Sequence, residues 1–360
     1  MTSTATEPVA TPDSTAKVWM RRAARLIAIM RPFLLLLAIG GIAYMAYSHW
    51  GEVSDTLSKM PWYGVAASGI SLLLGMTFGW LTWQTLVDSM GRPTGYAVGA
   101  RIMLVSQLGK YLPGSVWAYV LQLELGRKAK VSRARLFTAT LMYVAVSSII
   151  SLVLGLMALP LLLDETPQAA WVFLLVPVGL VWLHPRMLAK SGEFVLKLLR
   201  RPPVTLRLTW PLVAKLTGLT VLSYAFLGLH LWLLAKSVSS ADLSMVMLCV
   251  GAIAVGLTLG VVAFILPSGA GVRELVIVAA LASTMPRGEA VALALVSRLM
   301  FTVADVVSAG VAALFGRRAL SRTERDAAAA AGPVDAGSAP KAAAGVSSGS
   351  GTANEPPARD

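Results

Sequence analysis

Charged side chains stand within stretches that are otherwise apolar, among them Lys110, Arg273, Glu274, Arg298 and Asp305, with Arg101 placed nearer the cytoplasmic surface. A charge in hydrocarbon costs roughly 2.5–3.5 kcal/mol on insertion scales, so each marks a site or demands a partner. Lysine and arginine bring only donors and positive charge, and the planar guanidinium matches phosphate oxygens bidentately. Lys110, Arg273 and Arg298 therefore suit an anion, with Glu274 and Asp305 balancing the empty site or coupling protons. Arg273 and Glu274 also have a plainer reading, as an ion pair steadying a turn. Gln107, three residues before Lys110, either lines a cavity or bonds between helices. Arg298 and Asp305 are seven residues apart, two helical turns, so they share a face but stand roughly 10 Å apart along the axis. They are too far apart to pair. Each needs a partner across the bundle, and Glu274 is the candidate for Arg298.

Other chemistries find no support in the residue types. No Walker motif, metal-ligand cluster or nucleophile elbow occurs. The expectation is a protein without catalytic residues, metal or cofactor, and not an enzyme. His230 and Asp305 are loose acid–base candidates that no spacing brings together, and His230 reads as a packing histidine. The single cysteine, Cys249, lies in an apolar run and reads as a small buried hydrophobe.

Two breaks position the charges. Ser106-Gln-Leu-Gly-Lys-Tyr-Leu-Pro-Gly-Ser115 interrupts an apolar segment running from Ala97 to Leu121. Pro113 removes a backbone donor and Gly114 admits dihedrals closed to other residues, so a helix should stop there. The second break, Leu266-Pro267-Ser268-Gly269-Ala270-Gly271, repeats the pattern and runs directly into Arg273 and Glu274. In hydrocarbon, freed backbone groups persist only where protein or a wet cavity satisfies them. The two breaks read as walls of one site, with Gly109, Gly114, Gly269 and Gly271 there for geometry.

Composition names the solvent. The chain is 56% hydrophobic and 14% charged, whereas soluble domains are about 25% charged. The net charge of +13 sits beside apolar runs, which points to topology and anionic headgroups rather than nucleic acid. Residues 1–16 and 327–360 are rich in small and polar residues and read as disordered tails around one transmembrane domain, 17–320. Arginines 21, 22, 25 and 31 precede the first span, Phe33 to about Trp50, and place the N-terminus in the cytoplasm. Further spans are expected at 62–86, 136–163, 169–182, 211–234 and 290–315. The basic loops at 127–135 and 186–207 are cytoplasmic on the same rule, and Met187 to Leu199 is amphipathic and suited to the headgroup layer. The tryptophans, Trp80 and Trp83 among them, read mostly as an interfacial belt.

An offset of 154 residues separates Leu112 from Leu266. It also maps 62–86 onto 216–240 and 136–163 onto 290–317, with opposite directions by loop charge. The fold class expected is an all-α polytopic membrane protein with an inverted-topology repeat, halves about 62–186 and 211–316. The broken segments form two opposed re-entrant hairpins beside six spans, or else cross fully to make eight. Both counts put both termini inside.

The stretches Leu108-Gly-Lys-Tyr-Leu-Pro-Gly114 and Leu266-Pro-Ser-Gly-Ala-Gly-Val-Arg-Glu274 resemble the flippase-like transmembrane family, which includes the membrane region of lysylphosphatidylglycerol synthases. The resemblance covers roughly residues 20–320 and implies movement of a lipid or lipid-linked headgroup between leaflets. Bifunctional members carry a soluble aminoacyl-transfer domain. This chain ends in a short tail instead, so the lysyl-lipid substrate does not carry over. The Arg-Glu pair also has no match after the first break, where positions 119 and 120 are Tyr and Val. The functional expectation is a flippase in the bacterial cytoplasmic membrane, acting on a phospholipid or polyprenyl-phosphate headgroup, with a lipid-modifying enzyme as a possible partner. The rivals are an ion-coupled transporter of a small organic anion and an accessory subunit of such an enzyme.

Overall fold

Apolar runs with no competing strand pattern fold as helices. The computed structural model describes residues 47, 50–111, 116–156, 175–198, 208–239, 242–262 and 271–330. The expected first span, the turns at Pro113-Gly114 and at Pro267-Ser268-Gly269, and both tails beyond these limits lie outside the described residues. In order, the elements are α1 (Trp50–Lys59), α2 (Trp62–Ser89), α3 (Tyr96–Ser106), a 3-10 turn (Gln107–Tyr111), α4 (Val116–Lys128) and α5 (Arg133–Gly155). They continue as α6 (Leu175–Trp182), α7 (Pro185–Leu198), α8 (Trp210–Lys236), α9 (Ser244–Val262), α10 (Val272–Leu281) and α11 (Arg287–Ala330). No strand occurs among the described residues. Among the described residues, five helices are long and apolar enough to cross a membrane: α2, α5, α8, α9 and the first 33 residues of α11. The chain is an all-α, multi-pass membrane protein. Residues 1–320 form one compact unit, which carries everything described below, and 321–360 a second.

Local chemistry sets the helix ends. Ser132 accepts a hydrogen bond from the Arg135 backbone N–H and starts α5. Pro211 occupies the first turn of α8, where no backbone donor is missed. The Arg135 side chain reaches back to the end of α2 and donates from Nε to the Val87 carbonyl at 2.8 Å and from Nη2 to the Arg92 carbonyl at 2.7 Å. A cation thus gives the Val87 carbonyl, already bonded to the Met90 N–H, a second donor and pairs a carbonyl in the turn that follows.

The spine of the bundle is the crossing of α2 and α8. Ser68 meets His230, Ser71 donates to the Phe226 carbonyl, Ser223 donates to the Gly75 carbonyl, and Thr220 meets Thr82. Partner numbers fall on one helix as they rise on the other, so the two pack antiparallel. Gly75 makes the approach possible: a Cβ there would stand 2.7 Å from the Leu227 side chain. Interhelical hydrogen bonds of this kind contribute about 0.6 kcal/mol each in membranes.

Each broken segment folds its arms together. α3 and the 3-10 turn pack on α4, and α9 packs on α10. A Cβ on Gly109 would lie 2.5 Å from the Ala118 amide nitrogen, so the arms of the first segment touch backbone to backbone.

Candidate functional site

The first broken segment delivers its charge on a tightened turn. After Ser106 the helix narrows to a 3-10 turn carrying Lys110 and Tyr111. Lys110 Nζ and the Tyr111 hydroxyl both reach Asp305 Oδ2 on α11, each at 2.6 Å. The second segment delivers its charges at a helix start. Gly271 has φ +89°, a left-handed conformation that suits glycine, and it begins α10. Glu274 bends back so that its Oε2 accepts from the Gly271 N–H at 2.7 Å. Its other oxygen, Oε1, accepts from Arg298 Nη1 on α11 at 2.6 Å. The cross-bundle partner expected for Arg298 is the one found, and Asp305 has its own.

In both pairs the cation is the outer member. The Lys110 side chain is 25% exposed against 1% for Asp305, and Arg298 is 24% exposed against 4% for Glu274. The Lys110 and Arg298 side chains border a cavity of about 460 Å³, and Glu274 sits behind Arg298. Gln107, Arg273 and Asp305 also line this cavity.

Arg273 is held differently. It is buried, its guanidinium lies 3.8 Å from the centroid of the Phe301 ring, and Nη2 donates to Ser297 Oγ at 3.0 Å. A desolvated cation over an aromatic face gains about 2 kcal/mol or more. Arg273 Nε has no partner among the described residues. Behind Ser297 a hydrogen-bond chain runs to the α2–α8 crossing. Arginine can only donate, so Ser297 accepts from it and directs its own proton to His230 Nε2 at 3.0 Å. His230 Nδ1 then donates to Ser68 Oγ at 2.7 Å, and that hydroxyl donates to the His230 carbonyl at 2.9 Å. His230 is a satisfied interior histidine and also the prop for Arg273.

Reading the sequence by its charges alone left out Tyr111, Ser297 and Phe301. Tyr111 adjoins Lys110. Phe301 falls three residues after Arg298 and four before Asp305, on the face those two define. Trp80 and Trp83 correct the belt assignment: both line the cavity, and Trp83 is fully buried with Nε1 donating to Thr140 Oγ1 at 3.0 Å. Arg101 does not border the cavity and packs instead where a Cβ on Gly316 would meet its side chain. Pro113, Gly114, Pro267, Ser268 and Gly269 lie outside the described residues, so no geometry is given for them.

Residues 17–309 match the family model described as the lysylphosphatidylglycerol synthase TM region. The chain belongs to that family. No curated protein matches it. Membership accounts for the multi-pass helical fold and places the chain among membrane proteins of lipid metabolism or transport. Every described charge of the family-like motifs, from Lys110 to Arg273 and Glu274, lies on or directly behind the wall of the one 460 Å³ cavity.

Proposed function

We propose that this family member is a flippase-like transporter that moves a lipid or lipid-linked anionic headgroup between leaflets, with the tails left in the bilayer. The observation that carries the reading is common to the two ion pairs: both cations line the cavity, and each is far more exposed than its carboxylate. A phosphate bridging Lys110 and Arg298 would meet positive charge without first displacing Glu274 or Asp305. Arg273 adds a third cation, and Gln107 a neutral donor. Gly271 serves the geometry of the turn, as Pro113, Gly114, Pro267, Ser268 and Gly269 are proposed to do.

The apolar rim supports a lipid over a free solute. Tyr119 and Val261 line the cavity and are about half exposed, at 44% and 50%, which suits an opening toward hydrocarbon. Access would alternate by rocking one half, about 62–186, against the other, about 211–316. The setting proposed is the bacterial cytoplasmic membrane with both termini inside, and the partner a lipid-modifying enzyme that supplies or consumes the cargo.

The test is headgroup accessibility in proteoliposomes. Fluorescent phospholipids and a polyprenyl-phosphate sugar are assayed for leaflet exchange with wild type, Arg273→Ala and Arg298→Ala. Exchange that falls at least tenfold in both variants supports the reading. Folded wild-type protein that exchanges no lipid would falsify it.

A further inference from the structure

The cavity carries a second set of polar groups that the ion pairs do not use. Its cationic side chains come from the 3-10 turn, α10 and α11. From α2, α4 and α5 come Trp80, Gln122, Thr140 and Tyr143, none of them charged. Trp83 Nε1 can only donate, so Thr140 Oγ1 accepts from it and directs its own proton to Gln122 Oε1 at 3.0 Å. That chain fixes the Gln122 amide by its oxygen, so a ligand in the cavity would meet the amide at its NH2 end. Gln122 is only 5% exposed and lines the cavity. Trp80 Nε1 is likewise buried and has no acceptor among the described residues.

Two oriented, neutral donors beside aromatic rings constrain what fits. A buried donor left unpaired, as Trp80 Nε1 is, costs about 1–3 kcal/mol, so the site asks for a ligand rich in acceptors. Hydroxyl oxygens accept from N–H groups and return their own protons to hydroxyls such as that of Tyr143. An ammonium headgroup supplies only donors, and it would meet donors here and three cations nearby. The volume agrees: about 460 Å³ is many times the roughly 30 Å³ share of one water molecule, and leaves room beyond a phosphate.

We infer that the cavity takes a two-part headgroup: a phosphate at Lys110, Arg298 and Arg273, and a neutral polyhydroxyl group, a sugar or cyclitol, accepting from Trp80 Nε1 and Gln122 Nε2. The inference rests on reading the cavity as a headgroup site. Its chemistry occurs in phospholipids with a polyol headgroup and in polyprenyl-phosphate sugars.

The test is calorimetric binding to full-length protein in nanodiscs, with four short-chain lipids that each carry one phosphate. They are dioctanoyl phosphatidic acid, dioctanoyl phosphatidylethanolamine, dioctanoyl phosphatidylinositol and a short-prenyl phosphoryl mannose. At least one of the two polyol lipids should bind tenfold or more tighter than both of the others, and which one does so identifies the source. Trp80→Phe keeps the ring and removes the N–H; Gln122→Met keeps the bulk and removes the amide. Each should reduce the preference to about threefold or less. Equal binding of all four lipids by wild type, or a preference that survives both variants, overturns the inference while leaving a phosphate site in place. Folded protein that binds none of the four overturns the headgroup reading itself, and the inference with it.

Discussion

The two ion pairs on α11 are built with opposite polarity. The first broken segment contributes the cation, Lys110, and α11 the carboxylate, Asp305. The second contributes the carboxylate, Glu274, and α11 the cation, Arg298. In both, the cation is about a quarter exposed and the carboxylate nearly buried. What the pairs share is which charge is the more exposed, not which element carries it. They differ in how the carboxylate is supported. Asp305 takes a phenol from Tyr111, whereas Glu274 takes the backbone N–H of Gly271 and so ties the ion pair to the start of α10.

Removing a carboxylate should break the comparison most severely. Glu274→Gln or Asp305→Asn leaves a partly buried cation without its partner, and each is expected to lose about 3–5 kcal/mol of stability. Thermal unfolding in nanodiscs measures it. Glu274→Gln should lie at the upper end, because the same side chain caps α10. Tyr111→Phe removes only the second donor to Asp305, a hydrogen bond to a charged group, and should cost about 1.5–3 kcal/mol. Its counterpart at the other break is Gly271→Ala, which forces a Cβ into a left-handed conformation at about 1–2 kcal/mol. Equal losses from Glu274→Gln and from a conservative change remote from α11 would remove the distinction between the pairs and the rest of the bundle. The baseline for that remainder is Ser71→Ala at the α2–α8 crossing, which removes the bond to the Phe226 carbonyl and is expected to cost about 0.6 kcal/mol.

Much of this was legible because membranes make charges conspicuous. Seven residues between Arg298 and Asp305 fix a shared face and forbid direct pairing, so partners on other helices follow from helical geometry. Glu274 could be chosen for Arg298 on topology alone. The props were less legible. Ser297, His230 and Ser68 come from three helices, and nothing in their local spacing announces a chain of hydrogen bonds. Trp83 reads as an interfacial tryptophan because an indole is at home in both settings. Its burial is decided by Thr140, on a different helix. Neutral side chains such as Gln122 carry no desolvation signal strong enough to stand out from an apolar run, and their orientation emerges only from the donor count around them.

The central claim is that the outward-facing cations, rather than the ion pairs as such, define the cargo. The most direct measurement is leaflet exchange of anionic lipid by the charge-exchanged double variant Lys110→Asp with Asp305→Lys, alongside its thermal stability. The account predicts that the double variant recovers at least half of the stability lost in Asp305→Asn. It also predicts exchange reduced tenfold or more, because the more exposed member of the pair is then a carboxylate. Undiminished exchange by a protein with an anionic group at position 110 would contradict it.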